Sequence, residues 1–259
     1  MMMAVGCDGP TESAPSPAQP PPSGLARIVK DGAINICSTG DYRPFTYRDP
    51  QGRWSGLDIS MADDLAKRLN VKPNFVPTTW SSLMSDLGAK CEVAMGGISI
   101  TLGRAEKALF SAPYLRDGKA AIVRCADQTK YRTLTDIDRP GVRVVTPPGG
   151  SNSEYDKTHL HAARVVTYPD NNTIFAQLTT NAADVMVTDT SEIRWETKQN
   201  PQLCGVGVDH PFTFEQKAYL IPGGDYPTQQ WINQWLNIAQ NDGTYAALSQ
   251  NYLGQVVGP

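Results

Sequence analysis

The sequence predicts an α/β fold of two lobes with a ligand cleft between them. Three observations carry this expectation: from residue 33 short apolar runs alternate with helix-spaced stretches, the alternation comes as two similar units, and the chain after residue 222 holds helices with no sheet of their own. "AINICS" (33–38) is an apolar run of strand length. "GLDISMADDLAKRLN" (56–70) places Ile59, Ala62, Leu65, Ala66 and Leu69 at helical spacing behind Asp58, which reads as the N-cap. "KPNFVPT", a helix through "TWSSLMSDLGA" and a strand through "EVAMGGISI" complete a βαβαβ unit, so parallel strands with right-handed crossovers are expected. The second unit reads "VRVVTPPGGSNSEYDKTHL" (strand, glycine turn, helix), "ARVVTYPDNNTIFAQLTT" (strand, then a helix capped by Asp170) and "ADVMVTDTSEIRW" (strand, helix). After "KAYLIP" (217–222), the helices "TQQWINQWLNIAQNDG" and "YAALSQNYLG" are expected to pack back on the first lobe. The expected division is 26–117 with 217–259 for the first lobe and 118–216 for the second, with crossings near 117 and 217 as the hinge.

Composition bounds the function. With 40% hydrophobic and 19% charged residues over 259 positions, the chain is long enough for a sizeable core and lies near the globular average. A net charge of -3 with scattered Lys and Arg leaves no footprint for nucleic acid. No apolar run reaches the roughly 18 residues of a membrane span. The three histidines, His159, His161 and His210, fit no metal spacing, and no cysteine set suggests zinc.

Residues 1–25 differ from the rest. "CDGPTESAPSPAQPPPSG" (7–24) has almost no large apolar side chains and reads as a flexible tether. "MMMAVGC" before it resembles the end of a bacterial lipoprotein signal, although Ala4 stands where such signals carry Leu and no basic n-region precedes it. Lipid anchoring through Cys7 and an odd N-terminus both stay open, with export favoured. Cys7 is the odd cysteine of five. On neighbouring parallel strands Cys37 and Cys91 would lie about four residues out of level, roughly 13 Å, so both are expected to be buried thiols. Cys125 and Cys204 are the expected disulfide.

Ligands of open α/β sheets sit beyond the carboxyl ends of strands. Those ends supply Asp41 and Tyr42, Trp80, Ser99 and Arg104, Ser151 and Asn152, and Asp189 and Glu192. Read from residues alone, Glu192 is a helix cap in a D-x-x-E pattern, a ligand-binding charge or a proton donor. Arg104 suits a bidentate carboxylate clamp, Lys119 in "RDGK" suits neutralising a second carboxylate, and Lys217 reads as a solvated hinge residue. "PPGGSN" is either a tight turn or an anion site at a helix N-terminus.

"STGDYRPFTYRD", "GLDISMADDLAKRL", "GGISIT" and "LGRAEKALFSAPYLRDGK" resemble the polar amino-acid family of periplasmic solute-binding proteins over residues 26–254. The resemblance implies the two-lobed, hinged architecture of that family. It implies that Tyr42 and Trp80 sandwich a ligand, that Ser99 and Arg104 clamp a carboxylate, and that Asp189 receives an ammonium. "TGDYRPFTYRD", "PTTWSSLMSDL", "PYLRDGK", "PGGSN", "PDNNTIFAQL", "TDTSE", "PQLCGV" and "PFTFEQKAYLIP", in this order, resemble more narrowly the cyclohexadienyl dehydratases, an exported enzyme family on the same scaffold. Two departures stand out: Pro147 where Asn is expected, and the polar pair Thr190 and Ser191 where apolar residues are usual.

The narrower resemblance implies decarboxylating dehydration of prephenate or arogenate to phenylpyruvate or phenylalanine. Aromatisation of the ring drives that reaction, so no cofactor is needed, but the ring hydroxyl leaves only if protonated. A general acid there contributes about 10² to 10⁴ in rate. Glu192 is the candidate acid, with Lys119 beside it in the catalytic set and Tyr42, Trp80, Ser99, Arg104, Ser151, Asn152 and Asp189 in the binding set. The expected partner is a small-molecule carboxylate. An amino-acid receptor for an ABC transporter remains the competing class, since it needs Arg104 and Asp189 but no acid at 192. Oligomeric state is not legible.

Overall fold

The structure, a computed structural model, describes residues 23–259, so the tether and the Cys7 anchoring question lie outside the described residues. The first unit forms a five-stranded sheet in the order Lys72–Pro77, Ala33–Ser38, Val93–Ala94, Leu220–Pro222, Ala108–Phe110. Its first three strands run parallel, and Leu220–Pro222 pairs antiparallel to its neighbours. The second sheet repeats the scheme: Arg164–Thr167, Arg143–Thr146 and Val185–Asp189 are parallel, and Lys119–Arg124 pairs antiparallel to both its neighbours, Val185–Asp189 and Leu203–Val206. Within Lys119–Arg124, Ala120 and Ile122 join one core cluster while Ala121 and Val123 join another. Covering on both faces is why this strand reads as an unbroken apolar run.

The chain passes between the sheets along Leu115–Asp117 and Glu215–Lys217, which pair antiparallel as a two-stranded ribbon. The helices Tyr226–Asn241 and Thr244–Leu253 bury Ile232, Trp235, Leu236 and Tyr245 in the cluster that holds Ile34 and Ile36 of the first sheet. They therefore pack where the sequence places them.

Several local expectations are corrected. Asp58 does not cap its helix: Leu57–Leu69 starts behind Gly56, and Asp58 turns inward to accept hydrogen bonds from Gly97 N–H and Tyr114 Oη, both at 2.6 Å. Burial pushes its carboxyl up to about 6. The helix expected through "TWSSLMSDLGA" shrinks to Leu83–Asp86, because Thr79 and Ser82 bond each other's hydroxyls and backbone and hold the preceding residues in a turn. Asp170 likewise closes a turn, accepting from Asn172 N–H and Thr173 Oγ1, and the helix after it is only Ala176–Thr179.

Cys125 and Cys204 form the expected disulfide. Cys37 and Cys91 also form one, against expectation, with Cα atoms 5.6 Å apart. The strand-rise estimate fails because Cys91 is not in a strand. It precedes Val93–Ala94 in a turn closed by Gly88 N–H to Cys91 O, so it does not lie out along the sheet axis.

Asp156, in the helix Gly150–His159, is wholly buried, and neither its carboxyl oxygens nor Thr146 Oγ1 beside them make a well-formed hydrogen bond. Burial pushes this carboxyl up to about 7. A folded pKa above the unfolded value of about 3.9 means that the fold loses stability as pH rises between the two values. Asp156→Asn is therefore expected to melt like the parent at pH 4 and to be more stable at pH 8, by on the order of 3–4 kcal/mol, in paired melting curves.

Candidate active site

Six residues picked from the sequence, Tyr42, Trp80, Ser99, Ser151, Asn152 and Asp189, line a single cleft of about 310 Å³. They arrive there because strand ends and helix starts from both sheets converge. Asp189 ends the strand Val185–Asp189, and Ser151 and Asn152 open the helix Gly150–His159. Gly149 and Gly150 both hold φ of +73°, and a Cβ on Gly149 would stand 2.5 Å from Ser81 Oγ. The glycine pair lets the turn of the second unit close against Trp80 and Ser81 of the first. Ser151 Oγ accepts from Lys119 rather than standing free as part of an anion nest.

Asp189 is the electrostatic centre. Lys119 Nζ lies 2.7 Å from Oδ1 and Lys217 Nζ 2.5 Å from Oδ2, and Tyr42 Oη donates to Oδ2 as well. Burial alone would push the Asp189 carboxyl up, but the two ammonium groups outweigh it and hold it far below the usual range. Lys217 is also buried, which favours its neutral form, yet Asp189, Asp117 and Glu215 raise it above the ordinary lysine value. The expectation of a solvated Lys217 is thus wrong: it is 0% exposed and also donates to Ser99 Oγ at 2.8 Å. Its neighbourhood, "FEQKAYL", holds Glu215 but not the carboxylate it bonds, since Asp189 lies 28 residues away.

Lys119 sits just behind the cleft wall, 1% exposed, donating to Ser151 Oγ, Asn152 Oδ1 and Asp189 Oδ1. Arg104 stands to one side, not among the residues lining the cleft. Its guanidinium lies 6.0 Å from the Trp80 ring centroid and donates to Ser99 O at 2.8 Å. Burial lowers its pKa from the ordinary arginine value, and it remains a cation at any physiological pH.

Glu192 occupies the first turn of the helix Thr190–Gln199 and is 2% exposed. It opens onto a side chamber of about 220 Å³ shared with Asp41, Glu196 and Asn171. Asn171, which sequence reasoning missed, lines this chamber and the main cleft alike. Burial pushes Glu192 well above the ordinary value; Thr188 opposes this through a hydrogen bond, while the charges of Asp189, Glu196 and Asp41 reinforce it. The capping reading does not hold. The helix start is served by Asp117, which accepts from Thr190 Oγ1, Ser191 N–H and Ser191 Oγ, whereas the Glu192 carboxyl is bonded by Thr188 Oγ1. Thr190 and Ser191, the polar pair that departs from the resemblance, are the residues Asp117 holds.

Chemically, the site sets two buried ammonium groups against Asp189, with Asp117 and Glu215 also within 4 Å of them, an arginine to one side, and a separate carboxyl whose pKa burial pushes well up. Among the described residues no group of three or more His, Cys, Asp or Glu side chains forms a metal site, and no helix is long and apolar enough to cross a membrane.

This arrangement has close counterparts. The chain is 41% identical over 254 residues to the cyclohexadienyl dehydratase of Pseudomonas aeruginosa, covering 98% of this chain and 94% of the relative. Among solved structures, an ancestral amino acid-binding protein described as a precursor of cyclohexadienyl dehydratase superposes with a TM-score of 0.83 at 33% identity, covering 89% of this chain and 100% of that one. An ancestral cyclohexadienyl dehydratase matches with a TM-score of 0.57 at 45% identity, over 91% of this chain and 98% of that one. The sequence pattern of the bacterial extracellular solute-binding proteins, family 3, spans residues 34–255, and with its two-lobed type II periplasmic-binding fold the chain belongs to that family.

Proposed function

We propose that this protein is a cyclohexadienyl dehydratase, acting on prephenate or arogenate with Glu192 as the general acid. The observation that carries the reading is the Glu192 carboxyl, buried beside the cleft with its pKa pushed well above the ordinary glutamate value, a group that a binding protein has no use for. The ring carboxylate leaves as carbon dioxide, its bonding electrons enter the ring, the C–O bond breaks, and the hydroxyl departs as water with the Glu192 proton. Arg104, whose guanidinium stands 6.0 Å from the Trp80 ring centroid, and Ser99 meet one substrate carboxylate, and Tyr42 and Trp80, edge to face with centroids 5.5 Å apart, form one wall against which the substrate ring lies. Asn171, on the wall between cleft and chamber, marks where the hydroxyl meets the acid.

The amino-acid receptor reading is weakened by Asp189. Its carboxylate already carries two lysines and a tyrosine hydroxyl, leaving little capacity for a ligand ammonium. The same polarity favours prephenate, whose side chain bears no ammonium, over arogenate. The lobe division at 117 and 217, with the ribbon as hinge, completes the proposal, as do export to the periplasm and a lipid anchor at Cys7.

The test is direct. Purified protein incubated with prephenate should form phenylpyruvate, read by its ultraviolet absorbance in alkali, above the spontaneous rate. No formation, together with saturable calorimetric binding of an amino acid, would make it a receptor. Arg104→Ala should raise KM about tenfold or more and change kcat less, as expected for a contact made equally in ground and transition states.

A further inference from the structure

The side chain of Thr188 stands between the cleft and the acid, wholly buried at the end of the strand Val185–Asp189. Lys119 Nζ donates to Asn152 Oδ1 at 2.6 Å, Asn152 Nδ2 donates to Thr188 Oγ1 at 2.9 Å, and Thr188 Oγ1 meets Glu192 Oε2 at 2.5 Å. The lysine fixes the first two directions. A lysine only donates, so the amide oxygen of Asn152 faces Lys119 and its NH₂ faces Thr188. Thr188 Oγ1 accepts from Asn152 and donates to Glu192 Oε2. The carbonyl oxygen of a carboxylic acid is its better acceptor, so this bond favours the acidic proton on Oε1.

We propose that Thr188 is a positioning residue for the general acid: by occupying Oε2 it holds the transferable proton of Glu192 on Oε1. The proposal rests on the dehydratase reading of Glu192. Without the threonine hydroxyl, the proton exchanges between two equivalent oxygens and the carboxyl is free to turn. Thr188 also supplies the one hydrogen bond that favours ionised Glu192 against burial. The charged and titratable groups facing Glu192 are Asp189 on the same strand, Glu196 one turn along its helix, Asp41 and Tyr42 from the strand Asp41–Tyr42, Arg43 at the chamber mouth, and the two lysines behind Asp189. None of them is bonded to the Thr188 side chain directly, so a shift at Glu192 that serine reverses reports on the Thr188 hydroxyl.

The experiment compares Thr188→Val, which keeps the shape without the hydroxyl, with Thr188→Ser, which keeps the hydroxyl, and carries Thr188→Ala in case valine packs badly. The Glu192 titration is followed by carbon-13 NMR of glutamate-labelled protein, with the signal assigned from Glu192→Gln. In parallel, kcat and KM for prephenate are measured across pH. Valine and alanine should lower kcat about tenfold, the size of one hydrogen bond, and leave KM within about twofold. Losing a donor to the ionised form raises the pKa, so the alkaline limb of kcat and the NMR midpoint should both move up by about one unit. Serine should restore both. An unmoved Glu192 midpoint, or a serine variant as impaired as valine, overturns the proposal. A parent protein with no turnover sinks the dehydratase reading, while the NMR midpoints still decide whether Thr188 governs the Glu192 proton.

Discussion

Glu192→Gln is expected to lower kcat for prephenate by about 10² or more and to leave the melting temperature nearly unchanged. The two halves of that expectation have different physical sources. The fold should survive because burial and the neighbouring carboxylates disfavour the charged form of Glu192, 2% exposed, and a neutral amide of the same shape suits that environment. Thr188 Oγ1 keeps an acceptor in the amide oxygen. The rate should fall because an amide has no proton to give to the departing hydroxyl. Since that transfer is made in the transition state, kcat and kcat/KM should drop together while substrate affinity holds. A variant that melts early but turns over normally would return Glu192 to a structural role.

Lys217→Met is expected to be the most destabilising single change in the site, by about 3–5 kcal/mol, because it removes a wholly buried partner of a buried carboxylate. Lys119 remains to hold Asp189, which sets the lower end of that range. The pH dependence has a definite sign. Asp189, depressed in the fold, contributes stability above the unfolded aspartate value of about 3.9, lost only as pH falls through its folded value. Lys217, raised in the fold, contributes stability below the unfolded lysine value of about 10.4, lost as pH rises through its folded value. The gap between parent and variant in denaturant unfolding should therefore be level from about pH 5 to pH 9. A gap that closes near neutrality would mean that the pair is not ionised in the fold. The variant should also lose prephenate turnover, since Tyr42, Ser99 and Asp189, which line the cleft, lose the ammonium that ties them together.

The architecture was legible because strand ends in such folds announce themselves: an apolar run followed by a polar residue and a helix start put Asp189, Ser151 and Asn152 where they are found. What escaped depended on geometry across long sequence separations. Lys217 looks like a solvated hinge lysine until the ribbon Leu115–Asp117 with Glu215–Lys217 brings it against Asp189. Asn171 sits in "PDNNT", a turn sequence in which either asparagine serves the turn, and only the packing of that turn against Asp41 O singles it out. The Cys37–Cys91 bond was missed because rise per residue applies to extended chain and Cys91 lies in a turn. The cap reading of Glu192 fails for a related reason: the group that serves the helix start, Asp117, comes from another strand altogether.

Asp189 hangs from the second sheet, whereas Tyr42 and Ser99, which reach it directly or through Lys217, stand on the side of the first. A cargo carrier is useful to a docking partner only if an empty molecule differs in shape from a loaded one, so its shutting must wait for cargo. In this chain the Lys217 ammonium spans Ser99 and Asp189 itself, as an ammonium on the cargo would otherwise do. A closure held by that tie does not depend on cargo. The same tie suits turnover, because a site whose halves are drawn together by their own side chains has no need to grip its small molecule tightly and can let the product leave.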